Sequence, residues 1–170
     1  MANPMYGQNK FDEAADREVG APATLKGLAI ATKATAAAVT FEYGININNV
    51  VGNSTAQTVT LPAAKKGKVC IHQQSLDTTG GTNVAAWDCA GDDVFATGSV
   101  IESRDSNAVV FDTSASGETK LNYTPASATT NLLTIGSRII FYCLMDGVWE
   151  VEGHFSQDPL AVTGAFAFAS

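Results

Sequence analysis

Between Val39 and Ile47 every second residue is apolar. Val39, Phe41, Tyr43, Ile45 and Ile47 alternate with Thr40, Glu42, Gly44 and Asn46. Successive side chains of a β-strand point to opposite faces, so this period of two predicts a half-buried strand and argues against a helix. The period returns near the end of the chain. There Trp149, Val151 and Phe155 fall in one phase, and Glu150, Glu152 and His154 in the other. Just before them, Asp146-Gly147 is a dipeptide favoured in tight hairpin turns, because it tolerates positive φ at both central positions. The strand leading into that turn, Arg138 to Met145, is almost wholly apolar, which predicts cover on both of its faces.

The stretches between carry the same signature in shorter pieces. Val59 and Leu61 continue the alternation until Pro62, which ends a strand or lies at a sheet edge. Lys65-Lys66-Gly67 reads as a turn. The next strand runs from Lys68 to Leu76, with Val69 and Ile71 on one face and Cys70 and His72 on the other. Further strands are expected near 83–89, 93–96, 98–103, 107–112 and 119–124, separated by Gly, Ser and Asp turns. In the tail, Leu160, Val162, Phe166 and Phe168 share one face. Roughly nine to eleven short strands without a long helix predict an all-β protein, an antiparallel β-sandwich or jelly-roll-like body. No internal repeat is evident.

Residues 1–36 differ from this body, residues 37–170. Met5, Tyr6 and Phe11 are scattered among turn formers, and no periodic stripe joins them. Such a segment cannot build a core and is ordered only when something ties it down. It reads as an extended N-terminal arm held against partner subunits. Lys10 to Val19 fits a short helix, with Asn9 as N-cap and Gly20 and Pro22 as its stop, or equally an extended arm with one helical turn. Met1, Pro4, Met5, Tyr6 and Phe11 are the candidate partner contacts, because nothing in the arm itself could bury them. Phe166 and Phe168 are candidates for packing between protomers, with a terminal core strand as the alternative.

The charge narrows the partners. The chain has 10 Lys and Arg against 17 Asp and Glu, a net charge of −7. In the arm, Lys10, Arg17, Lys26 and Lys33 balance Asp12, Glu13, Asp16 and Glu18, so the body carries the whole excess. An acidic body repels phosphate backbones and anionic membrane surfaces, so neither nucleic acid nor membrane is expected as a partner. No stretch approaches the roughly 20 apolar residues of a membrane span. The N-terminus lacks a basic segment followed by an apolar one, so no signal peptide is expected. Cys70, Cys89 and Cys143 are an odd number in no secreted framework, which predicts buried free thiols and a reducing cytoplasm.

Residues that could carry chemistry are few. The chain has two histidines. His154 continues the solvent face of Glu150 and Glu152, whereas His72 fits a buried, exposed or interface position. No Gly-x-Ser-x-Gly turn is present. Cys70 and His72 share a strand face at ligand spacing, but zinc would need two more ligands, with Cys89 and Cys143 the candidates. Asp92-Asp93 does not match a calcium loop and reads as a solvated turn. Asp88 and Asp92 could pair for acid–base work, although a chain this acidic offers many such pairs. Trp149 is in phase with the core, while Trp87 could be exposed as a sugar-stacking platform. The expectation is a protein without catalytic residues, metal or cofactor.

Two stretches together carry a resemblance. Thr58-Val-Thr-Leu-Pro-Ala-Ala, followed by a Lys/Gly turn and an apolar strand, resembles the start of β-domains in tailed-phage decoration and fibre proteins. The segment Asp146-Gly147-Val148-Trp149-Glu150-Val151-Glu152-Gly153 after an apolar strand is similar to the end of those domains. The opening Met1-Ala-Asn-Pro-Met-Tyr-Gly-Gln-Asn-Lys is similar to N-termini of small head proteins of marine and freshwater phages. These short matches span much of residues 1–155. The resemblance implies a bacteriophage head decoration (cement) protein, commonly a homotrimer on the capsid exterior where major capsid protein subunits meet. It implies manufacture in the host cytoplasm and no catalytic residues. The competing expectation is a tail-fibre or host-recognition module whose loops around 77–91 bind glycans.

Overall fold

The computed structural model describes residues 30–32, 37–48, 56–75, 85–104, 109–124, 134–156 and 166–170. The helix considered over Lys10 to Val19, the arm contacts Met1, Pro4, Met5, Tyr6 and Phe11, and the tail residues Leu160 and Val162 lie outside them. No helix occurs among the described residues, and the chain is all-β. The strands are β1 (Ile30–Thr32), β2 (Ala38–Thr40), β3 (Gly44–Ile47), β4 (Gln57–Thr60), β5 (Val69–Gln73) and β6 (Ala85–Asp88). They continue as β7 (Val94–Phe95), β8 (Val100–Arg104), β9 (Val109–Thr113), β10 (Lys120–Tyr123), β11 (Arg138–Met145), β12 (Val148–Ser156) and β13 (Phe166–Ala169).

These strands form two sheets. The larger has eight strands in the order β1-β3-β5-β11-β12-β8-β9, with β7 also paired to β12; the smaller has five, in the order β13-β10-β6-β4-β2. Over the first six strands the chain visits the two sheets in turn. Each sheet therefore receives every second strand, running the same way, and β1-β3-β5 and β2-β4-β6 are parallel. The wholly antiparallel body expected from the turns is thus corrected to two mixed sheets. Hairpin-type pairing appears where consecutive strands stay in one sheet, at β8–β9 and β11–β12.

β1 lies inside the segment assigned to the arm. Ile30 pairs with Ile45 and Thr32 with Ile47, so residues 30–32 of that segment already belong to the larger sheet.

The alternation from Val39 to Ile47 belongs to two strands of different sheets. Gly44, at φ 105°, bends the chain out of the smaller sheet and into the larger one. A backbone at positive φ favours glycine, which has no Cβ to clash. The bend shifts the phase by one residue: Phe41 is buried before it, Asn46 and Asn48 after it, while Ile45 and Ile47 turn outward. Asn46 is buried because it holds the corner. Its Oδ1 accepts from the Glu42 backbone N at 3.0 Å, and its Nδ2 donates to the Glu42 carbonyl at 2.8 Å.

One core joins the sheets. Val59, Trp87, Leu121, Tyr123 and Phe166 come from the smaller sheet, and Cys70, Ile101, Ile139, Phe141, Trp149, Val151 and Phe155 from the larger. Each fully buried Phe contributes about 1.5–3 kcal/mol of transfer free energy, so such contacts bind the sheets more strongly than any one turn. Gly153 lies in this inner layer because a side chain would not fit: a Cβ there would come 2.5 Å from Ile101 Cδ1. At the hairpin end, Asp93 accepts from Ala64 N at 2.6 Å and Asp146 from Lys66 N at 2.8 Å. Asp92 is exposed, whereas Asp93 is half-buried and fastens a neighbouring loop.

Candidate interaction surface

The outward phase of β3, β5 and β11 places aliphatic side chains on the solvent side of the larger sheet. Ladder pairing aligns them: Ile30 lies opposite Ile45, Ile45 opposite Ile71, and Ile71 opposite Ile140. Cross-strand neighbours on one face approach within about 5 Å, so four isoleucines form a continuous row across four strands. The inner three are half-buried, and Ile30 on the open edge strand is 68% exposed. Among the described residues, β11 is therefore fully covered on one face only. Ile139, Phe141 and Cys143 face the core, Ile140 and Tyr142 the row, and Leu144 is exposed.

Polar groups frame the row. Tyr43 donates from its hydroxyl to the Ala63 carbonyl at 2.7 Å, and Lys68 Nζ lies 5.4 Å from its ring centroid. Burial, followed by nearby Cys143, Asp93 and Asp146, pushes the Tyr43 phenol above its usual range. On the other side, β12 turns Glu152 and His154 outward, as the alternation predicts. His154 lies 3.0 Å from Glu152 Oε1 and 3.6 Å from Glu102 Oε2, and Arg104 is 3.6 Å from Glu102 Oε1. Exposed pairs of this kind contribute little stability, about 0–1 kcal/mol each. Beyond them the edge strand β9 exposes Val109 and Phe111.

The other candidates resolve individually. Phe166 is buried in its own subunit, with rings of Phe155, Tyr123 and Trp87 around it. It serves as part of a terminal core strand, and the protomer contact considered for it is replaced by an internal one. Phe168 is half-buried against Phe95, at 5.5 Å between centroids. Trp149 is in the core, and so is Trp87, which removes Trp87 as an exposed sugar platform.

His72 is fully buried between the rings of Phe41 and Trp87. Burial lowers its pKa to about 4. The three cysteines are free: Cys70 and Cys143 are buried, and burial raises Cys89 to about 12. Cys143 donates to the Met145 carbonyl at 3.0 Å. Among the described residues no group of three or more His, Cys, Asp or Glu is placed to hold a metal ion.

The isoleucine row escaped a reading in which apolar residues of a strand face inward. The available signal was Gly44, a glycine in the middle of an alternating run, which marks a bend or bulge. No protein-family model, curated protein or solved structure matches this chain.

Proposed function

We propose that this chain is a structural virion protein that decorates and stabilises a phage capsid from its exterior. The observation that carries this reading is the isoleucine row, which ends at the exposed Ile30, the residue that follows the leading 29 in the chain. One edge of the molecule thus combines an aliphatic face with the attachment point of a segment that has apolar residues and no core of its own.

In this reading the arm contacts the major capsid protein through Met1, Pro4, Met5, Tyr6 and Phe11. Ordering the arm costs free energy that its contacts must offset, so it binds well only where an assembled lattice supplies them together. The isoleucine row packs against further copies of the chain. Aliphatic rows of three copies, each laid along a common three-fold axis, pack against both neighbours in the homotrimer that the resemblance implies. Three arms on one trimer then act with an effective concentration that a single arm lacks. The acidic body, turned to solvent, keeps decorated particles apart. The protein performs no reaction in this account and needs no cofactor.

Deleting residues 1–20 tests the reading. The truncated protein is expected to keep its oligomeric state in sedimentation and to lose binding to capsids that lack the protein. Full capsid binding by the truncated protein would overturn it.

A further inference from the structure

Between the two sheets lie polar side chains that the sheet hydrogen bonds do not use. Asn48 is fully buried, and among the described residues neither its Nδ2 nor its Oδ1 has a partner. His72 is equally buried, and neither ring nitrogen has one; Trp87 Nε1 is in the same condition. Gln74 approaches the His72 ring and favours its protonated form.

His72 belongs to one neighbourhood with both other residues. β3 and β5 run in parallel register with Asn46 opposite His72, and Asn48 follows two residues on, its backbone N bonded to the Gln73 carbonyl at 3.1 Å. Asn48 is thus the diagonal neighbour of His72 on the inner face, within reach of long side chains. Trp87 comes from the opposite sheet. Its ring centroid is 5.3 Å from that of His72, with the planes at 88°.

The magnitudes require a partner. A buried polar group left without a partner is costly. Five such atoms on three side chains would together offset much of an ordinary domain's stability. Asn46, next in the same strand, has bonds to the Glu42 backbone through both its polar atoms, so this part of the interior does satisfy its polar groups. The chemistry of the partner follows from the groups. A neutral imidazole offers one donor and one acceptor, a carboxamide two donors and an acceptor, and an indole one donor. A cation would be repelled by the N–H donors, and an anion would meet no formal positive charge. Water both donates and accepts, and it is the usual bridge between buried polar groups.

We infer that His72, Asn48 and Trp87 line an internal hydration site, where ordered water bridges β5 and the chain segment just after β3 to β6 of the smaller sheet. The site is independent of the capsid reading and holds whichever partners the protein has.

A high-resolution crystal structure of the full chain tests it, together with one of the His72→Phe variant, which keeps a ring in the aromatic stack. The expected result is at least one ordered water about 3 Å from a His72 nitrogen and from Asn48 or Trp87, with at least one such water lost in the variant. The inference is overturned if the wild-type polar atoms bond directly to one another or to protein groups with no water between them. It is also overturned if the same waters persist unchanged in the variant. Should the variant not fold, the wild-type structure decides alone.

Discussion

Phe155 and Phe166 place their ring centroids 4.1 Å apart, closer than any other ring pair among the described residues. One comes from β12 of the larger sheet and the other from β13 of the smaller. The last described strand is therefore fastened to the core by its first residue. Truncating a buried Phe to Ala costs about 3–5 kcal/mol. Phe166→Ala is expected to lose that much in urea unfolding followed by tryptophan fluorescence. Phe168→Ala, at a half-buried position, should lose clearly less. Equal losses would contradict the assignment of Phe166 alone to the inner core.

Gly153 makes room for a neighbour. Gly153→Ala brings a methyl group against Ile101, and overpacking a tight core costs about 1–3 kcal/mol. Removing the offending Cδ1 with Ile101→Val should recover part of that loss. The double variant is expected to be more stable than the two single effects added together, measured as a thermodynamic cycle from unfolding midpoints. Simple additivity would show that the two side chains do not compete for space.

The phase of the strands was legible in places and hidden in others, for one reason. Trp149, Val151 and Phe155 point inward as their alternation requires, because β12 is one uninterrupted strand beginning at a local turn. Ile45 and Ile47 point outward despite the same alternation, because Gly44 changes sheet between them and Phe41. A turn signal such as Lys65-Lys66-Gly67 shows that the chain turns. It does not show whether the next strand rejoins the same sheet, and so parallel pairing was not visible. The isoleucine row could not be read for a related reason: it exists only through the register of β1, β3, β5 and β11, which are far apart in the chain.

Acid should weaken the fold through His72. Its pKa is about 4 when folded, against 6.5 for the free side chain. Above pH 6.5 both states are neutral, and its contribution to stability is complete. As pH falls from 6.5 toward 4 the unfolded chain takes up the proton first, and about 3 kcal/mol is lost over that window. Stability measured by urea unfolding from pH 7.5 to 4 should therefore fall more steeply in the wild type than in His72→Phe. Parallel pH profiles would show that His72 is not the group responsible.

Charge placed in the isoleucine row should separate association from folding. Ile71→Lys is expected to change the stability of the body by about 1 kcal/mol, as for half-exposed strand positions. It should also shift the oligomer to monomer in sedimentation equilibrium. An unchanged oligomer would mean that the copies meet through another face.

The most direct test of the account is a reconstruction of decorated capsids by electron cryo-microscopy. The account predicts density for residues 1–11 running between major capsid subunits, with Met5, Tyr6 and Phe11 in grooves of those subunits and the β body outermost. Density that places these side chains against their own subunit, or a body that touches the shell without its leading segment, would contradict it.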